Sequence, residues 1–329
     1  MALRGKLHYA FNGDADGLCA LQQLRLEDPS EAQLVTGTKR EIDLVGRVVA
    51  APGDRVTVLD VSLAVNHAAV RALLGAGVQV RYFDHHDAGE PLEHPQLERH
   101  IDTSPALCTS LLVNAHLKGR QRRWAAVGAW GDNLDDSAEA ALVGDALDAD
   151  ARATLRRLGT CLNYNAYGDT LADLLIAPAE LHRRLLPHAD PLDFCRSDPL
   201  FGQLGAQMDA DMAAADGTPP IAEGPEGAVY LLADAAWSRR VSGLWAHALA
   251  SRDPQRASAV LTVKPGGGYV VSVRAPLARP RGASALCRGF PTGGGREGAA
   301  GINRLPADQV QAFCQAFLEH FKPGHPPPA

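Results

Sequence analysis

Cysteine is sparse and scattered in this sequence. The 6 cysteines (Cys19, Cys108, Cys161, Cys195, Cys287 and Cys314) form no Cys-x-x-Cys pair along 329 residues. That argues against a zinc ribbon or a disulfide framework, and the thiols read as reduced and mostly buried. Aromatic residues make up only 5% of the chain, so packing must rest on Leu, Val and Ala. No apolar run approaches the roughly 18 residues of a membrane span. Met1–Lys6 leads straight into a strand pattern without the apolar core of a secretory leader. The expectation is a cytoplasmic protein with no membrane partner. Positive charge is not in excess either: the net charge of −6 argues against coating long duplexes by bulk electrostatics. Internal repeats are also missing.

What is there is ordinary globular material, 46% hydrophobic and 21% charged, long enough for two domains. The charge is unevenly spread. From Pro220 to Arg304, 11 Lys/Arg stand against 5 Asp/Glu, whereas carboxylates mark the first part. Short apolar runs alternate there with helical spacing. Strands are expected at Leu7–Phe11, Gln33–Thr36, Arg55–Leu59 and Val78–Phe83. Helices are expected over Gly17–Glu27, about Glu41–Ala50 and Ala64–Leu74. This alternation predicts an α/β fold with a mostly parallel sheet. Ser104-Pro105 reads as the start of a helix reaching about Leu117. Residues from about Ser137 to Met212 read as a helical insertion interrupted by Pro178, Pro187, Pro191 and Pro199. The expected organisation is a first domain over 1–215, a linker over 216–227, a smaller α/β domain over 228–322 and a disordered tail over 323–329. In the smaller domain, strands are expected at Ala228–Leu232, Ser258–Val263 and Tyr269–Arg274. Pro265–Gly268 should join the last two as a hairpin loop, with helices near Val241–Ala250 and Ala307–Phe321.

The chemistry collects where apolar runs end. Asp84-His85-His86 closes the run Val78–Phe83, and a carboxylate with two imidazoles at a strand end suits a metal site better than a core. Asp14 and Asp16 follow Leu7–Phe11, Asp60 follows Val56–Leu59, and Asp132 follows Trp124–Trp130. Taken alone, Asp14-x-Asp16-Gly17 reads as a solvated turn, and Asp60 could simply cap a helix. Ligands of parallel α/β folds bind beyond the carboxyl ends of the strands, where these residues fall. Hard oxygen donors with some imidazole favour Mn²⁺ or Mg²⁺ over zinc.

This ordered set resembles the four amino-terminal motifs of the DHH phosphoesterase superfamily. Gly293-Gly294-Gly295-Arg296-Glu297-Gly298-Ala299-Ala300-Gly301 is similar to the glycine-rich signature of the associated DHHA1 domain. Val271–Arg274 resembles that domain's strand with a substrate-binding arginine. The resemblance implies two Mn²⁺ ions, with Mg²⁺ as the alternative. Asp14 would hold the first, Asp16 the second, and Asp60 would bridge them, with His85 and Asp132 completing the second site. Asp84 would orient a histidine and His86 would touch the substrate phosphate. Arg274, Gly293, Gly294, Gly295 and Arg296 would bind substrate. The chain departs from the family at Ala10, where many members carry histidine, and at Arg296, where histidine is usual.

The resemblance implies hydrolysis of short single-stranded oligonucleotides or small nucleotides, with a homodimer left open. The alternatives are a pyrophosphatase or exopolyphosphatase, and a non-catalytic nucleotide-binding regulator. Asn163–Gly168 could offer tyrosines for base stacking, although packing is the commoner role. Thr109 and Ser110 are weaker phosphate candidates. His67, His94, His100 and His116 read as surface or satisfied polar groups, and Trp124 and Trp130 as core.

Overall fold

The computed structural model describes residues 5–322. The tail expected at 323–329 lies outside the described residues. Two compact units divide after Ala206.

The first unit opens with β1 (Leu7–Phe11), α1 (Ala15–Glu27), β2 (Ala32–Thr36), β3 (Arg55–Leu59), α2 (Leu63–Gly75), β4 (Gln79–Asp84) and β5 (Leu97–Ile101). All five strands pair in parallel, in the order β2-β1-β3-β4-β5. Strand β1 is buried along nearly its whole length, as befits a strand covered on both faces. The chain leaves β1 for β2 on one side and returns to β3 on the other. The order therefore reverses between β1 and β3, the place where open α/β sheets form a ligand crevice. Asp14 follows one of these strands and Asp60 the other.

Helices α3 (Thr109–His116), α4 (Arg122–Gly131), α5 (Asp135–Ala141), α6 (Ala149–Ala166), α7 (Pro178–Leu185), α8 (Pro191–Ser197) and α9 (Pro199–Asp216) follow. Pro178, Pro191 and Pro199 are the first residues of their helices. They start helices instead of interrupting them, because the first helical position needs no N–H. No helix among the described residues is long and apolar enough to cross a membrane.

Three elements of the first unit differ from expectation. The helix expected over about Glu41–Ala50 is only a single 3₁₀ turn, Val45–Arg47. Asn66 of α2 accepts the Val45 N–H at 3.0 Å and donates to the Ile42 carbonyl at 2.8 Å, so groups a helix would use are tied elsewhere. Strand β5 was not foreseen, since Leu97-Glu98-Arg99-His100-Ile101 is an edge strand with little apolar alternation. Helix α3 begins at Thr109, not after Ser104. Asp102 instead caps the Ser104 N–H at 2.9 Å.

The second unit contains β6 (Pro220–Gly224), β7 (Gly227–Leu231), α10 (Ala236–Arg252), β8 (Ala257–Val263), β9 (Tyr269–Arg274), α11 (Ala283–Arg288), β10 (Gly293–Gly295), β11 (Ala299–Leu305) and α12 (Val310–His320). Its sheet runs β10-β11-β9-β8-β7-β6, with only β7 and β8 parallel. Val229, Leu261, Val273 and Ile302 pack with Phe313 and Phe317 of α12 to form its core. Residues 216–227, expected as a linker, hold β6, which pairs antiparallel with β7. Gly266, Gly267 and Gly268 make the β8–β9 loop with φ of 85°, 93° and 82°, a path that glycine permits.

Candidate metal centre

Seven side chains singled out in the sequence meet in the first unit, carried by the carboxyl ends of β1, β3 and β4 and by the end of α4. Asp14 caps α1 and accepts the Gly17 N–H at 3.1 Å. A Cβ on Gly17 would stand 2.2 Å from the Asn12 carbonyl oxygen, so this turn requires glycine. Asp16 lies in the first turn of α1. Its two oxygens accept the N–H groups of Thr109 and Ser110, each at 2.7 Å. These N–H groups belong to the start of α3, which favours a carboxylate. Each oxygen retains a lone pair for a cation.

Asp60 adopts a left-handed backbone, φ 60°, a conformation that costs energy and recurs at functional sites. Its Oδ1 accepts from Thr109 Oγ1 at 3.2 Å. Asp132 is the C-cap of α4, with Asn133 beyond it at φ 60°, a common helix ending. Gly131 lets α4 approach α1, since a Cβ there would stand 2.2 Å from that of Ala15. The close approach delivers Asp132 to the ends of the strands.

The two histidines face different ways. His85 Nδ1 lies 3.0 Å from the Leu107 carbonyl, which can only accept, so Nδ1 carries the proton. In the neutral ring, Nε2 is then a lone pair, the arrangement a metal ligand needs. Nε2 stands 3.5 Å from Asp60 Oδ1 and 3.7 Å from Asp132 Oδ2. Donor atoms of Asp16, His85 and Asp132 lie within 4.8 Å of one another, as do those of Asp60, His85 and His86. Ligands about 2.1 Å from a shared ion stand at most about 4.2 Å apart, so a small contraction suffices. His86 Nδ1 donates to Asp84 Oδ1 at 2.7 Å. Asp84 is fully buried, and its Oδ2 has no hydrogen-bond partner.

The carboxylates strain against one another. Burial, reinforced by Asp14, Asp16, Asp132 and Asp84, holds the Asp60 carboxyl well above the usual range. Burial raises Asp132 to about 6; Lys39 and His85 oppose the rise, while Asp14 and Asp16 add to it. The hydrogen bond to Asp84 holds His86 above the ordinary imidazole value, against the effect of burial. Burial also pushes Asp14 upward, but Lys39 and the Gly17 N–H outweigh it and leave the carboxyl below its usual range.

Lys39 was missed in the sequence. Its ammonium contacts Asp14 Oδ2 and lies 3.3 Å from Asp132 Oδ1 and 3.1 Å from Asn163 Oδ1. These partners are remote in sequence, so no local pattern announces them. Asn12, another turn residue, accepts the Asp14 N–H at 3.2 Å and donates to the Lys39 carbonyl at 3.3 Å.

The weaker candidates fall into place. Thr109 and Ser110 hold Asp16. Tyr164 is buried, whereas the ring of Tyr167 lies 5.5 Å from the Lys39 ammonium. Trp124 is core and donates to the Ala189 carbonyl at 3.0 Å; Trp130 is core as well. Glu98, His100 and His116 also cluster. His100 lies 2.6 Å from Glu98 Oε1 and stacks on Phe83 at 4.4 Å, which accounts for them as an ordinary edge-strand network.

In the second unit the glycine run is strand β10 of a hairpin, closed where Arg296 and Ala299 exchange backbone hydrogen bonds of 2.9 and 3.2 Å. Gly293 gives its N–H to the Phe290 carbonyl at 3.1 Å, so that group is already taken. A Cβ on Gly294 would meet nothing within 4 Å. Ala299 at the turn pairs with Arg274 of β9, which brings Arg274 beside the hairpin that carries the exposed Arg296.

No protein-family model and no curated protein matches the sequence. Solved structures do match its fold. An exonuclease RecJ bound to manganese is 18% identical, with a TM-score of 0.61 over 95% of this chain and 89% of that one. RecJ in complex with Mn²⁺ from Thermus thermophilus is 17% identical, with a TM-score of 0.63 over 99% of this chain and 53% of that one. This chain thus spans about half of that protein. The DHH domain of a member of the s1p family of ribosomal proteins is 13% identical, with a TM-score of 0.58 over 96% and 86% of the two chains. The chain has the fold of RecJ and of this DHH domain.

Proposed function

We propose that the protein is a divalent-metal-dependent phosphoesterase acting on short oligonucleotides or small nucleotides. One observation carries this reading. The His85 Nε2 lone pair faces Asp60 and Asp132 at 3.5 and 3.7 Å with no donor between them. A ring nitrogen and two carboxylate oxygens converging at these distances can close around a divalent cation. Asp16, Asp60, His85 and Asp132 would hold the ion, and their mixed oxygen and imidazole set favours Mn²⁺, with Mg²⁺ as the alternative. RecJ structures of the same fold contain Mn²⁺ or Mg²⁺. Held by Asp16, Asp60, His85 and Asp132, such an ion would supply Lewis acidity toward a phosphoryl oxygen and toward water.

The chain's own residues would do the rest. Asp84 fixes His86 through Nδ1, leaving Nε2 for a phosphate oxygen. The hydrogen bond to Asp84 raises the His86 pKa, which favours the cationic form, and a charge-assisted hydrogen bond to that oxygen is the stronger kind. Lys39 adds a fixed positive charge to the cluster. Within the second unit, Arg274 lies beside the hairpin that carries the exposed Arg296, and a basic pair of this kind suits a phosphate group.

The test is turnover with Mn²⁺ of a panel holding pApA, pAp, cyclic dinucleotides, short RNA, single-stranded DNA, polyphosphate and pyrophosphate. An Asp16→Ala/His85→Ala double variant is the control. Cleavage of the nucleotide substrates is expected. No turnover above the control would overturn the reading, and turnover of polyphosphate alone would move the substrate class.

A further inference from the structure

The carboxylate cluster has two sides, and only one of them asks for a metal. Asp14 belongs to neither group of cluster side chains whose donor atoms converge tightly enough to share an ion. Its Oδ1 accepts the Gly17 N–H and its Oδ2 accepts from the Lys39 ammonium. The same ammonium reaches Asp132 Oδ1 and Asn163 Oδ1. Three oxygens from separate parts of the chain therefore surround one fixed positive charge, as they would surround an ion. Strand β1 adds no donor on this side, where Ala10 and Phe11 are buried and apolar.

Lys39 is also held from behind. Its N–H donates to the Ala166 carbonyl at 2.9 Å, its carbonyl accepts from Asn12 at 3.3 Å, and Tyr167 lies against its ammonium. A surface lysine that had merely folded inward would not be tied at both ends of its backbone. Asp132 divides its two oxygens between the sides, Oδ1 to Lys39 and Oδ2 toward His85. A divalent ion beside Asp14 would compete with the ammonium for the same carboxylates, and like charges repel strongly where water is scarce.

We propose that this chain holds a single divalent ion, in the pocket of Asp16, Asp60, His85 and Asp132, and that the Lys39 ammonium is the second cation of the site. The inference rests on the hydrolase reading for the nature of the pocket, and it departs from the two ions that the family resemblance implies. A tethered ammonium is present at any metal concentration. About a quarter of the Lys39 side chain is exposed, so the ammonium can meet a phosphoryl oxygen as charge builds on it.

Counting ions tests this without reference to activity. Metal-free full-length protein is titrated with Mn²⁺ and followed by native mass spectrometry and electron paramagnetic resonance. The expected result is one ion per chain with the six-line spectrum of an isolated Mn²⁺. Lys39→Ala is expected to admit a second ion, with a spectrum broadened by coupling between neighbours, and Lys39→Arg to remain at one. Two ions in the wild type overturn the proposal, as does a count that stays at one in Lys39→Ala. The wild-type count decides even where a variant fails to fold. No ion in the wild type overturns the hydrolase reading together with the inference, whereas two ions overturn the inference alone.

Discussion

The two sides of the carboxylate cluster carry the same ligand chemistry and differ in what faces it. On one side Asp14 meets a lysine and the Gly17 N–H, with the Asp60 carboxyl also within hydrogen-bond reach. On the other, Asp60 and Asp132 face His85 Nε2, while Nδ1 is turned to the Leu107 carbonyl. The first side already contains a cation in Lys39; the second gathers ligand atoms around the place where one would bind. Negative charge alone therefore does not define the metal pocket. The defining feature is a set of ligand atoms held from behind: the α3 N–H groups and the Thr109 hydroxyl donate to Asp16 and Asp60, and the Leu107 carbonyl accepts from His85 Nδ1.

The largest effect should come from the side of His85. His85→Ala removes the imidazole ligand, and we expect turnover to fall by roughly 10³-fold, with Mn²⁺ affinity falling more than 10-fold. Isothermal titration and steady-state kinetics on the same preparation check both. Lys39→Ala should cost roughly 10²-fold in kcat at one Mn²⁺ per chain, before a second ion enters, while leaving the affinity for the first ion intact or improved. If Lys39→Ala instead weakens that ion as much as His85→Ala does, the two sides are one site and the contrast collapses.

The contrast also explains what the sequence could reveal. Asp84-His85-His86, Asp60 and the Asp14–Asp16 pair are legible because each follows its strand directly, and the strands are set by local apolar runs. Lys39 is not. It lies in a loop, and its partners Asp132 and Asn163 come from the far end of α4 and from α6, so only tertiary structure joins them. The start of α3 illustrates the same limit. Ser104-Pro105 is a good local cap, but the helix begins where Asp16 binds the Thr109 and Ser110 N–H groups. The expected helix near Glu41–Ala50 lost to Asn66, which ties two of its backbone groups to α2. Strand β5 was hidden because an exposed edge strand needs little apolar alternation.

A third effect, smaller, separates the sides by pH. The carboxyls of Asp60 and Asp132 are raised above their unfolded values, Asp132 to about 6. Between the ordinary Asp range and that value the native state binds more protons than the unfolded one. Their contribution to the stability of the metal-free protein is therefore fully present below the ordinary Asp range and, for Asp132, is lost as pH rises through about 6. Asp14, held low by Lys39, has the opposite sign: its contribution is present above its unfolded pKa and lost only in stronger acid. An ion in the pocket replaces the protons. Mn²⁺ at about 100 times its dissociation constant should contribute about 2.7 kcal/mol, raising the midpoint of the first unit by about 5–10 °C at pH 7.5. At pH 5.0 the gain should be less than about half of that. Thermal unfolding at both pH values, with and without Mn²⁺, makes the comparison. An equal gain at the two values would place the ion away from these carboxylates.

The smallest expected effect probes how each side is supported. Thr109→Val keeps the shape of the side chain and removes only the hydroxyl that donates to Asp60 Oδ1, while the backbone N–H on Asp16 remains. One hydrogen bond to a charged group is lost, so Mn²⁺ affinity should fall by about 3- to 10-fold. Asn163→Ala is the matching change on the other side. It removes the uncharged partner of Lys39 and leaves Asp14 and Asp132. Because that side carries its own cation, first-ion affinity should change by less than about 3-fold, within the loss of one neutral partner. Titration of both variants with Mn²⁺ reads the difference directly. A drop in Asn163→Ala as large as in Thr109→Val would mean that Lys39 and the ion share their support, and the cluster would have to be treated as a single network.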